Sequence, residues 1–293
     1  MNNAFIAPSE LIINTDGSIF HLHLKPEQIA EKVILVGDPG RVPLIASYFE
    51  NIEYDIQNRE YHSITGTYKK KRISVISTGI GVGNIDIVMN ELDALANVDF
   101  TTRMVKKELR QLQIVRIGTC GGLQKDTPLG SFICSVKSIG LDGLLNFYEG
   151  RDRFSELDLE KSFLDHMGWK GNVGNPNLYV ANSDKELVNN IAGADMVKGI
   201  TVTSGGFFGP QGRKIRMPLA DPNQTSKIQE YSYKGLRILN YEMESSAVEG
   251  LAALLGHKAV TCCLVIANRY NQTSNVDYKS RMNDLIHLVL QRI

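Results

Sequence analysis

The chain of 293 residues contains no apolar run approaching the length of a membrane span. Its first residues, Met1 to Glu10, lack the basic segment and long apolar core of a secretory signal. Cysteine is scarce: Cys120, Cys134, Cys262 and Cys263, none in a C-x-x-C pair and the last two adjacent inside an apolar run. Buried thiols in a reducing cytosol fit this better than a disulfide framework or a zinc site, so a cytoplasmic protein is expected. Net charge is missing too, with 32 Lys and Arg against 32 Asp and Glu. A generic nucleic-acid surface depends on many uncompensated cations, so neither nucleic acid nor membrane is expected as a partner; a local basic pocket stays open. The G-K-[ST] ending of a P-loop and the G-x-G-x-x-G dinucleotide turn are both lacking. No metal and no cofactor are expected.

What is present is an ordinary globular balance, 43% hydrophobic and 22% charged, in a chain long enough to bury a large core without staples. Short apolar runs at Lys32–Val36, Arg72–Thr78, Ile114–Ile117, Ser131–Ile139 and Ala259–Ala267 read as buried strands. Ile85, Val88, Met89, Leu92, Leu95 and Ala96 recur at the spacing of one helix face, as do Tyr278, Met282, Leu285, Ile286, Val289 and Ile293. A third helix is expected over Ser245–Leu255, with Gly256 as its C-cap. Alternating strands and helices predict an α/β core. Gly168–Asn177 and Met217–Gln224 read as loops too short to separate domains, so residues 1–293 are expected to form a single domain.

Three glycine-rich segments follow predicted strands. Gly37-Asp38-Pro39-Gly40-Arg41 ends one and precedes a helix expected over Val42–Phe49; glycine admits close ligand approach, and Arg41 could fork onto an oxyanion. Taken alone, a tight turn with a surface arginine explains it better. Ser77 to Asn84 carries glycine at 79, 81 and 83 and reads as a turn. Arg116-Ile117-Gly118-Thr119-Cys120-Gly121-Gly122 places a cation at a strand end, where burial demands a partner. A phosphate and a structural carboxylate are equally good candidates for that partner. Ligands of α/β sheets gather at the carboxyl ends of strands, so these segments point to a small free anion.

Phe207-Phe208-Gly209-Pro210-Gln211-Gly212-Arg213 is different in kind, joining aromatic rings, an amide and a guanidinium in one loop. Gln offers a donor and an acceptor, Arg only donors, and a ring stacks on a planar base. That set suits uracil, with O2, O4 and N3–H; an aromatic-anchored loop with an exposed arginine is the plain alternative. In Asn240 to Ala247, Glu242 and Glu244 flank Met243 and point the same way if the segment is extended. Two such acceptors suit the vicinal diol of a ribose; a capping acid plus a surface acid is the alternative.

In their order, G-D-P-x-R, S-T-G-I-G, R-I-G-T-x-G, F-x-x-x-Q-x-R, N-Y-E-M-E-S and N-R, these motifs resemble the nucleoside phosphorylase-I family, and within it the uridine-cleaving members, over roughly Phe20 to Arg269. The resemblance implies a three-layer sandwich with a central mixed, partly barrel-like sheet flanked by helices. It implies phosphorolysis: uridine and phosphate, the co-substrate, to uracil and ribose 1-phosphate, reversibly, in nucleoside salvage. It assigns phosphate contacts to Gly37, Arg41, Arg59, Arg116 and Thr119, ribose contacts to His21, Thr119, Glu242, Met243 and Glu244, and base contacts to Phe207, Gln211, Arg213 and Arg269. Arg213, Gln211 and Arg116 are the catalytic set. Arg59, and His21 with its neighbour Phe20, match residues lent by an adjacent subunit, which makes a homodimer the smallest active unit. A hexamer and a monovalent cation near Glu60 are left open. Purine-cleaving hexameric relatives carry an Asp after the late strand; here that strand ends Ala267-Asn268-Arg269, which favours a pyrimidine. The alternatives are a purine nucleoside phosphorylase, a phosphate-independent nucleosidase and a non-catalytic nucleoside binder.

Overall fold

The computed structural model describes residues 5–170, 173–174 and 177–293. The chain divides into two compact units, Met1–Val115 with Leu255–His257, and Arg116–Leu254 with Lys258–Ile293. In the first, β1 (Lys32–Val36), β2 (Asn51–Asn58), β3 (Tyr61–Tyr68) and β4 (Lys71–Ser77) lie in the order β1-β4-β3-β2. The apolar runs form β1 and β4, which pair in parallel, while β2 and β3 form an antiparallel hairpin. α1 (Arg41–Ala46) follows β1, and α2 (Val82–Asn97) follows β4 and buries Ile85, Val88, Met89, Leu92 and Leu95 as its periodicity predicts. β5 (Val98–Asp99) and β6 (Met104–Val105) make a short separate pair. α1 stops three residues before the expected Phe49. The Ser47 hydroxyl takes the Leu44 carbonyl at 2.7 Å, a local bond that competes with helix continuation.

β7 (Gln113–Gly122) carries the chain into the second unit. There β8 (Phe132–Gly140), β9 (Tyr179–Asn182), β10 (Met196–Thr203), β11 (Ser232–Tyr233), β12 (Leu236–Glu242), β13 (Lys258–Asn268) and β14 (Thr273–Ser274) follow. Five strands close a ring in the order β12-β10-β8-β13-β7 and back to β12. β8, β10 and β12 are parallel neighbours, β13 runs against β8, and β7 against β12. This is the mixed, partly barrel-like sheet that the motifs imply. α3 (Leu157–Met167), α4 (Lys185–Ile191), α5 (Gln224–Glu230), α6 (Ser245–Leu255) and α7 (Lys279–Arg292) belong to this unit apart from the last residue of α6. Phe163 of α3 packs edge-on against Trp169 and Tyr231. Gly256, directly after α6, has φ +82°, the left-handed cap expected of it.

β7 corrects the sequence reading, which ended the strand at Ile117 and took Gly118 to Gly122 as a turn. The strand continues because neighbouring side chains fill the space a Cβ would need. A Cβ on Gly118 would meet the Arg116 guanidinium at 2.3 Å, and one on Gly122 would meet Val265 at 2.9 Å. Gly121 and Gly122 also pair with Tyr241 and Asn240 of β12. Arg116 is therefore a mid-strand residue. The expected loop at Met217–Gln224 is present up to Asn223, and Gln224 opens α5. Of the expected loop Gly168–Asn177, positions 171, 172, 175 and 176 lie outside the described residues, as do positions 1–4 of the N-terminal reading. Among the described residues no helix is long and apolar enough to cross a membrane.

Glu249 is the anomaly of the second unit's core. It lies on α6, 1% exposed, and neither carboxylate oxygen has a well-formed hydrogen bond among the described residues. Burial drives its pKa well above the carboxylate range, nearby Glu242 and Cys134 add to this, and the Ser138 and Ser183 hydroxyls oppose it. A carboxyl held protonated only in the folded state stabilises fully below the unfolded-state pKa, and that contribution is lost as pH rises toward the folded value. From this group alone, stability should fall by about 1.4 kcal/mol per pH unit above roughly pH 4.3. Denaturant unfolding of the wild type and Glu249→Gln between pH 5 and pH 9 should show the variant losing less stability on the alkaline side.

Candidate active site

In the second unit, Arg116 sits 3% exposed on β7, aligned with Gly118 two residues on, where the absent Cβ leaves room for its side chain. Its Nη1 lies 3.3 Å from Glu242 and its Nη2 bonds Glu244. The thiol of Cys263 on β13 accepts from Nη1 at 3.8 Å. Burial alone would lower the guanidinium pKa, but the two carboxylates outweigh it and hold the charge firmly in place. One donor, Nε, has no partner among the described residues. Thr119, half-buried, follows on the same strand.

The two glutamates converge on this one cation, although the backbone bends at Met243 and Glu244 instead of staying extended as expected. Their surroundings differ. Glu242 ends β12; its Oε1 accepts from the Thr203 hydroxyl at 2.6 Å, and its Oε2 from the Glu244 and Ser245 amides at 2.8 and 2.9 Å. It therefore caps the N-terminus of α6, satisfying two of the amides that a helix start leaves unpaired. Thr203, at the end of β10, also accepts from the Ser246 amide at 3.0 Å. Sequence reasoning passed over Thr203, since a threonine ending a strand carries no signal of its own. Met243, half-buried, separates the glutamates.

The aromatic loop lies in the same unit. A single 3₁₀ turn, Gly209–Gln211, followed by Gly212 at φ +66°, reverses the chain. A Cβ on Gly212 would meet the Thr225 hydroxyl at 2.4 Å. The reversal brings Arg213 back over Phe207, its guanidinium carbon 3.8 Å from the ring centroid. Arg213 Nη1 donates to the Phe207 carbonyl at 2.6 Å and to the Gln211 amide oxygen. Gln211 is buried while Phe207 is half exposed. Three bonds pin the loop: Gln224 to the Pro210 carbonyl at 2.6 Å, Arg269 to the Gly212 carbonyl at 3.0 Å, and the Arg213 amide to the Phe208 carbonyl at 2.8 Å. Burial and the neighbouring Arg269 push the Arg213 guanidinium down to about 10, against a smaller opposing effect of Tyr241. Burial also lowers Arg269, whose Nη1 has no partner among the described residues. Two cations are thus held side by side, bonded to carbonyl and amide oxygens.

In the first unit, the glycine turns after β1 and β4 abut. A Cβ on Gly37 would lie 3.3 Å from the Gly79 carbonyl, and the Thr78 amide bonds the Val36 carbonyl at 2.8 Å. Gly79 at φ +72° and Gly81 at φ +93° take the left-handed backbone that glycine favours. Arg41 opens α1 and is 8% exposed. A separate cluster gathers the residues matched to an adjacent subunit. Arg59, at φ 55° on the β2–β3 hairpin tip, reaches over the Phe20 ring at 5.4 Å. Phe20 meets His21 edge-on at 4.8 Å, and the Asn58 amide holds the His21 carbonyl at 2.8 Å.

The chain resembles known proteins over nearly its whole length. The family model for the phosphorylase superfamily matches residues 31–288. A DeoD-type purine nucleoside phosphorylase of Bacillus subtilis is 29% identical over 93% of this chain and 98% of its own. A uridine phosphorylase of Thermococcus kodakarensis is 28% identical over 87% and 79%. Among solved structures, a Trypanosoma brucei nucleoside phosphorylase described as showing uridine phosphorylase activity superposes with a TM-score of 0.87, at 28% identity over 96% of this chain and 98% of that one. A uridine phosphorylase of the oomycete Phytophthora capsici shares the fold, with a TM-score of 0.74 at 20% identity over 99% and 98% of the two chains. The chain belongs to the phosphorylase superfamily and is an enzyme of its nucleoside phosphorylase (pentosyltransferase) family.

Proposed function

We propose that the nucleoside cleaved is uridine, giving uracil and ribose 1-phosphate. The observation that carries this is the pair formed by Arg213 on the Phe207 loop and Arg269 after β13, with Gln211 alongside and no carboxylate in the Ala267-Asn268-Arg269 segment. As the glycosidic bond loosens, uracil gathers negative charge on its oxygens, and two crowded cations with a preorganised amide stabilise that charge as an oxyanion hole does. A purine leaving group asks instead for a proton donor at N7, and this segment supplies none.

The remaining roles follow residue by residue. Phosphate is bound by Gly37, Arg41, Arg116 and Thr119, with Arg59 lent by a neighbouring copy; the unpartnered Nε of Arg116 is a donor suited to an oxyanion. The sugar is gripped by Glu244 and Met243, with Glu242 beneath them and His21 from the neighbour. Phosphate held at attack distance first balances the cationic sugar and then becomes the nucleophile. The grouping of exposed Arg59 with half-buried Phe20 and His21 supports lending of these residues as a set, which makes a homodimer the minimal active assembly. The reaction is assigned to the cytoplasm.

Base release from uridine and from inosine, each with and without phosphate, tests the reading. Uracil released only with phosphate is the expected result. Inosine cleavage would move the enzyme beside its DeoD-type relatives, and phosphate-independent release would remove the phosphate assignments. Arg213→Ala should lower turnover of uridine by ~10²–10³, whereas Arg41→Ala should act mainly on the KM for phosphate. Gly118→Ala forces a methyl against the Arg116 guanidinium; kcat/KM should drop at least about ten-fold, as for loss of one charge-assisted bond, with the circular dichroism spectrum retained.

A further inference from the structure

Glu91 is a carboxylate on α2 that no role above uses. It is 8% exposed, and its carboxylate hydrogen-bonds one short segment, His21 and Leu22. Its Oε1 lies 3.0 Å from the His21 amide and 2.6 Å from the His21 Nδ1. Its Oε2 accepts from the Leu22 amide at 2.8 Å and lies 3.2 Å from the His21 amide. Two backbone N–H groups aimed at the same carboxylate make it an acceptor. The ring nitrogen beside it must then supply the hydrogen.

We propose that Glu91 is a positioning residue that fixes His21 as the Nδ1–H tautomer, leaving Nε2 as a lone-pair acceptor for a sugar hydroxyl. The two ring nitrogens lie on opposite sides of an imidazole, so anchoring Nδ1 on Glu91 turns Nε2 away from α2. Further contacts restrict the ring. Phe20 packs edge-on at 4.8 Å, Tyr61 lies 6.4 Å away at a steep angle, and Asn58 holds the His21 carbonyl. The His21 side chain is still 28% exposed, so its free edge is open to a ligand while its anchored edge is not. A neutral ring with a fixed bare nitrogen accepts a hydroxyl hydrogen; the other tautomer presents a hydrogen there and leaves the hydroxyl to find another acceptor. This rests on the reading that His21 meets the sugar, and it specifies the direction of that hydrogen bond and the residue that sets it.

The test uses the intact protein with isotope-labelled histidine and two-bond nitrogen–proton correlation spectra, together with uridine kinetics of Glu91→Gln, Glu91→Ala, His21→Ala and the Glu91→Gln/His21→Ala double variant. Expected are an Nδ1–H ring for His21 in the wild type and loss of that single-tautomer signature in the Glu91 variants. Loss of kcat/KM should be roughly 10–100-fold, as when an orienting partner of a functional histidine is removed, and Glu91→Gln should cost nothing further once His21 is alanine. An Nε2–H ring in the wild type would overturn the proposal even if no Glu91 variant folds. Equal losses with and without His21 would overturn it in favour of a purely structural carboxylate. Full activity of His21→Ala would remove the sugar reading itself, a result recognisable because the wild-type Nδ1–H signature would persist.

Discussion

The second unit is organised around one buried cation. Arg116 lies on β7 with Glu242 and Glu244 at the β12–α6 junction, and all three are almost wholly excluded from solvent. An unpaired buried charge would cost several kcal/mol, so this strand, that junction and the residues that shape them must be in register together. Two carboxylates on one guanidinium leave a formal excess of negative charge. The start of α6 offsets it, since the Glu244 and Ser245 amides both point at Glu242 and add the positive end of the helix. The Thr203 hydroxyl fills the other oxygen. Gly118 belongs to the same requirement, because the strand can be threaded past Arg116 only without a Cβ.

The alternatives left open for Arg116 and the glutamates turn out not to exclude one another. Arg116 has its structural carboxylates, and Glu242 is a helix cap. What the ion cluster leaves over, among the described residues, is a single buried Nε donor on Arg116. A rigidly paired arginine presents its remaining hydrogen at a fixed position, which a solvated one does not. The structural role is thus what makes a binding role geometrically sharp.

Elements with strong apolar periodicity were legible in the sequence: β1, β4, β8, β13, α2, α6 and α7 fall within a few residues of their expected bounds. The β2–β3 hairpin was not, because β2 is an exposed polar edge whose residues carry no buried stripe. β7 was truncated because glycine reads locally as turn chemistry, whereas here it answers side chains from β7 itself and from β13 that only the fold brings alongside. The site motifs were legible as residue types but not as partners. Nothing in the sequence links His21 to Glu91, seventy positions away, or Thr203 to Glu242. Long-range polar pairing is set by topology, and one sequence contains no local record of it.

The arginines of the second unit show two opposite uses of the same side chain. Arg116 is neutralised by fixed carboxylates and its proton affinity rises. Arg213 and Arg269 stand next to one another with carbonyls, an amide and a ring as neighbours, and both are pushed down. Half-burying two like charges together costs folding free energy, and the loop tolerates this only because its backbone is pinned at Pro210 and Gly212. On the proposed reading the cost has a chemical use. A cation already satisfied by a carboxylate has little left to offer a group that turns negative during reaction. A crowded pair regains its lost stabilisation only when negative charge arrives, so the interaction is stronger in the transition state than before it. That difference separates a cation that holds a site together from one that lowers a barrier.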